Sequence, residues 1–401
     1  MYLGAYLIIN ICRMKKTDVL LIARPDHSLR IFKELNKTQL SYCYYTFKVF
    51  PKWVKSIIKD SRIVCLNGNF KSSISVTIYN ILVFKFHLKL SSIISENKLF
   101  ENFIYPRIKN INSLVIHYWP KYCKKSIEKY KKQHPKTNTI ADIYMPNPQF
   151  ILDYMGPILE PLGLKENLDY IRLDNQDLKD IMSYEDNFLV PSSFVADTYK
   201  KYYPNKNYFI IPYGISIWEH YHKKPIPHSI KTFVYAGTIS VEKGCDLICE
   251  YFKQHKDYEL HLYGEMKYNE KHLFSTYGGF SNIVFHGSVA KSVLQEEIAK
   301  YNVGVHMSRF DAYSLSVGEV VGTGIPVIVS VNTGIKDDVE RHNWGMVCEL
   351  SVDEFDCAVK KMSDLNNYCQ FQTSIDQYIS DNPIKYEEKV VRLYSQLCNE
   401  K

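Results

Sequence analysis

Two successive rounds of strand and helix, separated by a proline-containing break, constrain this chain more than any other feature. Short β-branched or apolar runs at residues 18–23, 63–66, 114–117, 187–190 and 208–211 alternate with longer helical stretches. After the turn residues Pro212, Tyr213 and Gly214, and a stretch to about Ile230, the alternation restarts at 233–236, 259–263, 283–285, 303–306 and 326–329. Strands that alternate with helices build parallel sheets covered on both faces. The expected fold class is therefore α/β, with two Rossmann-like doubly wound domains facing across a cleft. Residues 1–215 are expected to form the first domain, 216–230 a linker and 231–380 the second domain. The apolar spacing within 381–401 suits one amphipathic helix, which can cross back to the first domain. Ligands of open α/β sheets bind beyond the carboxyl ends of the strands, so the expected site is the interdomain cleft.

The chain has 401 residues, enough for two full cores, and its 46% hydrophobic and 23% charged content excludes wholesale disorder. No apolar run reaches the ~18 residues that span a bilayer. The best stretch, 74–94, is interrupted by Lys85, His87 and Lys89. Ten cysteines, scattered from Cys12 to Cys398 without a CxxC pair, read as reduced thiols of a cytoplasmic protein. Cys245 and Cys249 lie one helical turn apart and read as small buried hydrophobes, not metal ligands. The apolar stub 1–11 is followed by basic residues instead of preceded by them, the wrong polarity for a secretory signal. Residues 1–13 read as an extension upstream of a start at Met14, with a short membrane-surface anchor as the other reading.

Charge is distributed unevenly. Residues 1–140 hold 25 Lys and Arg against 7 Asp and Glu, whereas the remainder holds 25 against 36. The basic excess peaks at 121–132, where helical spacing brings Lys121, Lys125, Lys129 and Lys132 near one face, with Tyr122 and Tyr130 close by. Such a face suits the anionic inner surface of the cytoplasmic membrane, at about 1 kcal/mol per lysine, or else is a solvated helix face. No base-reading signature accompanies it, so nucleic acid is not an expected partner.

The chemistry concentrates in the second half. Residues 233–248 read as a strand, a turn containing Gly237, Thr238 and Lys243, then a helix starting near Lys243. Glycine lets the backbone approach a ligand, and a helix N-terminus with an ammonium favours an anion such as a diphosphate. The dinucleotide fingerprint GxGxxG is absent, which argues against a plain NAD enzyme. Further on, Asp311 and Glu319 bracket a strand-to-helix turn through Tyr313, Ser314, Leu315 and Ser316. Amides of that turn suit a phosphate, and the two carboxylates can accept sugar hydroxyls at opposite ends of an elongated ligand. Asp337 and Asp338 read as surface charge, and no metal site is expected.

The order and spacing of these elements resemble the family-four retaining glycosyltransferases of the GT-B fold, the glycosyl transferases group 1. The resemblance runs from about residue 187 to 348. It rests on Pro212-Tyr-Gly214, the 237–244 turn with Lys243, Leu262-Tyr-Gly264, Gly287, the Asp311 and Glu319 pair, Gly324-Ile-Pro326 and Asn332-Thr-Gly334. It implies that Lys243 binds the donor diphosphate, Glu319 the ribose hydroxyls, and Asp311 with the loop after it the donor sugar and distal phosphate. Two departures stand out: the family usually has Arg where Thr238 stands and Glu where Asp311 stands. Either nearby donors such as Arg309 or Ser240 compensate, or activity is reduced. In the first domain, His117 resembles the cleft histidine that relatives place near the donor sugar. Arg24, Asp26 and His27 replace a glycine-rich loop and are the candidate acceptor contacts.

The resemblance implies transfer of a sugar, with retention and without a metal, from a UDP-, GDP-, dTDP- or ADP-sugar to a saccharide acceptor. No further cofactor is implied. The basic first domain adds a lipid-linked acceptor of bacterial surface polysaccharide, lipopolysaccharide or capsule. A sugar-nucleotide 2-epimerase of the same fold, and a nucleotide-sugar-binding but non-catalytic partner of an assembly complex, are the alternatives.

Overall fold

The computed structural model describes residues 15–23, 27–46, 49–51, 64–66, 70–73 and 96–400. The extension 1–13 and the candidate acceptor residues Arg24 and Asp26 lie outside them, and His27 opens a helix whose first described side chain is Ser28.

Fifteen strands run in chain order through the described residues: β1 Lys15–Ile22, β2 Tyr42–Thr46, β3 Val49–Pro51, β4 Val64–Leu66, β5 Phe70–Ser72, β6 Ile111–Tyr118, β7 Asn138–Asp142, β8 Asn187–Val190, β9 Asn207–Ile210, β10 Thr232–Ala236, β11 Glu259–Tyr263, β12 Ile283–Gly287, β13 Val303–His306, β14 Val327–Ser330 and β15 Gly345–Cys348. Seven form one parallel sheet in the order β5-β2-β1-β6-β7-β8-β9, and six form a second in the order β12-β11-β10-β13-β14-β15. This is the GT-B arrangement of two doubly wound domains. A parallel sheet covered on both faces needs strands apolar on both faces, and Val19, Leu20, Leu21 and Ile22 of β1 are all fully buried. The expected strand at 63–66 exists but pairs with β3 outside the two main sheets.

The two domains exchange pieces of their cores. The C-terminal helix Tyr386–Asn399 returns to the first domain, where Tyr386, Val390, Leu393, Tyr394 and Leu397 bury against Val19, Leu21, Phe32, Tyr44 and Val115. In the opposite direction, the helix Pro148–Leu159 and the turn after it send Ile151, Met155, Leu159, Leu164 and Leu168 into the second domain's apolar cluster with Phe233, Ile239, Val241 and Met307. Residues 148–168 thus belong to the first domain by chain order and to the second by packing.

Polar contacts close the same seam. The Ser192 hydroxyl donates to the Ala312 carbonyl at 2.7 Å. Asp338 accepts the Tyr313 hydroxyl at 2.6 Å, and that hydroxyl in turn accepts the Gly214 amide at 3.0 Å. Asp337 accepts the Ser193 amide at 3.3 Å. Neither carboxylate is idle surface charge, as the sequence suggested; Asp338 is buried, and both tie the hinge together.

The C-terminal helix also reaches a buried polar group: the Tyr394 hydroxyl lies 2.5 Å from His117 Nδ1. Tyr394→Phe should leave that nitrogen without a partner and lower unfolding stability by about 1–3 kcal/mol. The urea midpoint should fall with its slope unchanged; an unshifted midpoint would show that this contact contributes nothing.

Candidate active site in the interdomain cleft

The carboxyl ends of β10 and β13 and the loops after them face the ends of β6 and β7 across a cavity of about 550 Å³. From the second domain it is lined by Gly237, Thr238, Lys243, His306, Asp311, Tyr313, Ser314, Leu315 and Ser316, and from the first by Trp119, Lys121, Tyr122 and Tyr144. Seven of the eight residues singled out in the sequence as donor contacts therefore meet in one place, with Asp311 beside them. Glu319 sits half-buried one turn further along the helix Leu315–Val321, outside this lining.

The turn that carries Lys243 is shaped by its glycines. Gly244 adopts φ +68° before the helix Cys245–Gln254, and a Cβ there would lie 1.7 Å from the Met307 carbonyl oxygen. The Lys243 amide donates to the Ser240 hydroxyl at 3.2 Å, which fixes the direction in which the lysine leaves the turn. Its ammonium reaches Asp311 Oδ2 at 2.9 Å, with Glu242 Oε1 at 3.9 Å.

Asp311 is pinned by its backbone. Its amide donates to the Asn332 carbonyl at 3.0 Å, and its carbonyl accepts the Gly334 amide at 2.9 Å. Gly334 is obligatory at this approach, since a Cβ would lie 2.0 Å from the Ala312 oxygen. The Asn332-Thr-Gly334 motif is thus the clamp that aims Asp311 at Lys243. His306, stacked on Tyr235 at 5.5 Å, brings Nε2 within 3.3 Å of the same carboxylate oxygen and 3.1 Å of the Ser314 hydroxyl. A carboxylate only accepts, so the Asp311 contact requires the proton on Nε2. Ser314 holds φ +72°, a conformation non-glycine residues adopt only under constraint.

Burial pushes the Asp311 carboxyl up, but the Lys243 charge and the His306 hydrogen bond outweigh it and hold the group well below the usual carboxylate range. Burial lowers Lys243, and Asp311 with Glu242 more than compensates, so its ammonium is held above its ordinary value. Burial dominates at His306, which is lowered and stays neutral at pH 7.

Three expectations are modified. His117 is buried outside the cleft lining, between Tyr394 and Asp142, whose Oδ2 lies 3.3 Å from Nε2. Arg309 does not stand in for the arginine missing at Thr238: its guanidinium makes two bonds to Asp246, at 2.7 and 2.8 Å, on the adjoining helix. Ser240 is occupied with the Lys243 amide. On the helix Pro120–Gln133, Tyr122 and Tyr130 are buried, Lys121 and Tyr122 border the cleft, and Lys125, Lys129 and Lys132 face outward, so the exposed side is basic without an aromatic component.

Sequence reading missed the first-domain wall. Trp119 donates to Asp142 Oδ2 at 2.7 Å and tilts against Tyr144 at 5.8 Å. Both rings follow strand ends, the position that marked His117; Trp119 follows the recognised β6, whereas β7 has only Ile140 and Ala141 as apolar residues and was not recognised. His306, at the end of a recognised strand, was legible by the same rule. Among the described residues no group of three His, Cys, Asp or Glu side chains can hold a metal ion, and no helix is long and apolar enough to cross a membrane.

Residues 216–377 match the model of the family described as glycosyl transferases group 1, which bears out the resemblance carried by the motifs. No curated protein sequence matches the chain. Solved structures share its fold over nearly the whole length. Sucrose-phosphate synthase from Thermosynechococcus elongatus superimposes with a TM-score of 0.64 at 14% identity, covering 96% of this chain and 100% of that one. HepE of Anabaena, in complex with UDP, gives 0.58 at 12%, covering 94% and 100%. The lipopolysaccharide outer core galactosyltransferase WaaB gives 0.57 at 13%, covering 91% and 100%. At such identities these likenesses establish the fold alone.

The Asp311 shift fixes the sign of a pH effect. A carboxyl held below its unfolded value of ~3.9 contributes stability that is present above that value and is lost progressively as pH falls from there toward the lower folded value. In stepwise urea unfolding between about pH 6 and 3, the native chain should lose more stability than Asp311→Asn; parallel profiles would refute the pairing.

Proposed function

We propose that the chain is a retaining, metal-independent glycosyltransferase that moves a sugar from a nucleotide-diphosphate donor to a saccharide acceptor. The observation that carries this reading is the Lys243 ammonium, held on a glycine turn at the cleft and paired closely with a carboxylate that a ligand can displace or share. A departing diphosphate gathers negative charge, and a preorganised cation in a cavity shielded from water stabilises it without reorganisation. Lys243 supplies that cation. Asp311 and Ser314 are placed to accept or donate to sugar hydroxyls, and Glu319 takes the ribose by the family resemblance. Two proteins of the same fold support a UDP-type donor: HepE was solved with UDP, and an Escherichia coli protein described as trehalose-6-phosphate was solved with UDP-2-fluoro glucose.

The acceptor lies on the first-domain side, where Trp119 and Tyr144 offer flat apolar faces and Lys121 and Asp142 offer polar ones. The alignment of WaaB and of WaaG, a glycosyltransferase involved in lipopolysaccharide biosynthesis, supports a role in surface polysaccharide assembly with a lipid-linked acceptor. The enzyme then works in the cytoplasm, peripheral on the inner face of the membrane, with the outward lysines of 121–132 toward the lipid.

One nucleotide sugar among the UDP, GDP, dTDP and ADP series should raise the melting temperature and be slowly hydrolysed to the nucleoside diphosphate, in excess EDTA as well as without it. Lys243→Ala and Glu319→Ala should each weaken that nucleotide about 10–100-fold, the worth of a hydrogen bond to a charged group. Stabilisation by none of the four, or by all in the variants as in the native chain, would reject the reading. A requirement for added divalent cation would reject metal independence alone.

Membrane docking is tested separately. Lys125→Glu, Lys129→Glu and Lys132→Glu together should reduce sedimentation with phosphatidylglycerol vesicles at least tenfold while leaving nucleotide binding intact. Equal sedimentation would remove the membrane from the proposal.

A further inference from the structure

The turn that carries Lys243 is held from behind by a carboxylate that has no place in the chemistry. Glu270 ends the short turn Tyr268–Glu270 and is completely buried. Its Oε2 accepts the Val241 amide at 2.6 Å, two residues before Lys243. Its Oε1 accepts the side-chain amide of Asn167 at 2.7 Å, and Lys267 Nζ stands at 3.6 Å. Asn167 belongs to the first-domain segment that crosses to the second domain, and its own carbonyl oxygen accepts the Asn269 side chain at 2.6 Å. A buried carboxylate is tolerated only while hydrogen bonds and opposite charge compensate its lost hydration. One of its two close donors here comes from the other domain's chain, and the other is the backbone of the Lys243 turn.

We propose that Asn167 and Glu270 form an interdomain clasp that positions the Lys243 turn, so that binding of a nucleoside diphosphate at Lys243 is coupled to contact between the domains. If the 165–167 turn shifts while Leu164 and Leu168 stay packed, Oε1 loses its neutral donor and the carboxylate must turn toward Lys267 or water. The Val241 amide, buried with the turn, then loses a well-aligned acceptor, and the turn loses its fixed position. Both groups are positioning residues: neither lines the cleft. By reciprocity, a nucleoside diphosphate that favours the ordered turn must favour the closed clasp by the same factor. The inference rests on the reading of the Lys243 turn as the diphosphate site.

The pair permits a polarity swap. Asn167→Asp sets two carboxylates against each other, and Glu270→Gln sets two amide donors against each other. With both changes together the amide introduced at position 270 donates to the carboxylate introduced at position 167, which still accepts from Asn269. Asn167 is half-buried, so Asn167→Ala provides a third single variant expected to fold. Using the full chain, UDP, GDP, dTDP and ADP are titrated calorimetrically at a temperature where circular dichroism shows each variant folded. The expected result is that the nucleoside diphosphate bound by the native chain binds about tenfold more weakly to each folded single variant, one charge-assisted hydrogen bond's worth, and regains near-native affinity in the double variant. It should also slow amide hydrogen exchange across 165–170 in the native and double-variant chains but not in Asn167→Ala. Native affinity in the folded single variants, no recovery in the double variant, or exchange at 165–170 unaffected by nucleotide overturns the clasp while leaving the diphosphate site standing. If the native chain binds none of the four, both readings fall together.

Discussion

The exchange of core segments between the domains governs the rest of this molecule. A two-domain α/β chain joined only at a hinge leaves its cleft geometry to a linker. Here the C-terminal helix buries six apolar side chains in the first domain, and residues 148–168 bury five in the second. Each fully buried apolar side chain is worth about 1.5–3 kcal/mol, so withdrawing either segment is far costlier than breaking the few hydrogen bonds along the seam. The cleft is consequently a defined cavity. The strand ends of β6 and β7 stand opposite those of β10 and β13 at a separation set by packing, and relative motion must be accommodated by shearing of the packed segments more than by free opening.

Within that fixed cavity the electrostatics are self-contained. Lys243 is balanced by Asp311, His306 is neutral, and Lys121 is the other cation on the lining. The ion pair keeps an ammonium charged in a shielded place where it would otherwise tend to lose its proton. The proposed diphosphate carries more negative charge than Asp311 holds, so it would compete for Lys243 instead of creating a new contact. The departure at Thr238 sharpens this, because Arg309, the nearest guanidinium in sequence to Asp311, is committed to Asp246.

The fold was largely legible because parallel strands buried on both faces are written as continuous apolar runs. Nine of the ten anticipated runs fall in the two main sheets, and only 63–66 joins a separate pair. Four strands of the main sheets escaped, β2, β5, β7 and β15; β7, with Thr139 and Asp142, has too little apolar signal to stand out, and its loss hid Asp142 and Tyr144 on the first-domain side. The second-domain site was legible for a different reason. Its residues are close in sequence and are positioned by glycines that backbone contacts require, such as Gly244 and Gly334. The first-domain side is assembled from separate strand ends and from the C-terminal helix, over 250 residues away, and no local pattern announces that juxtaposition. Crossing segments were equally hidden, since the apolar face of 148–159 shows that a partner exists without showing which domain provides it.

At His117, local strand position and long-range packing combine. Its strand-end position suggested a cleft group, and the next residue but one, Trp119, does line the cleft. The histidine ring itself lies behind that wall, with Nδ1 on Tyr394 and Nε2 toward Asp142, the carboxylate that also accepts Trp119. A fixed Asp142 therefore orients the indole that lines the cleft, and Tyr394 restrains the histidine from the far end. The C-terminal helix thus does more than complete a core. By reaching His117 it connects the end of the chain, through two buried polar groups, to an aromatic ring of the cleft, so its packing and the shape of the cleft's first-domain wall are not independent.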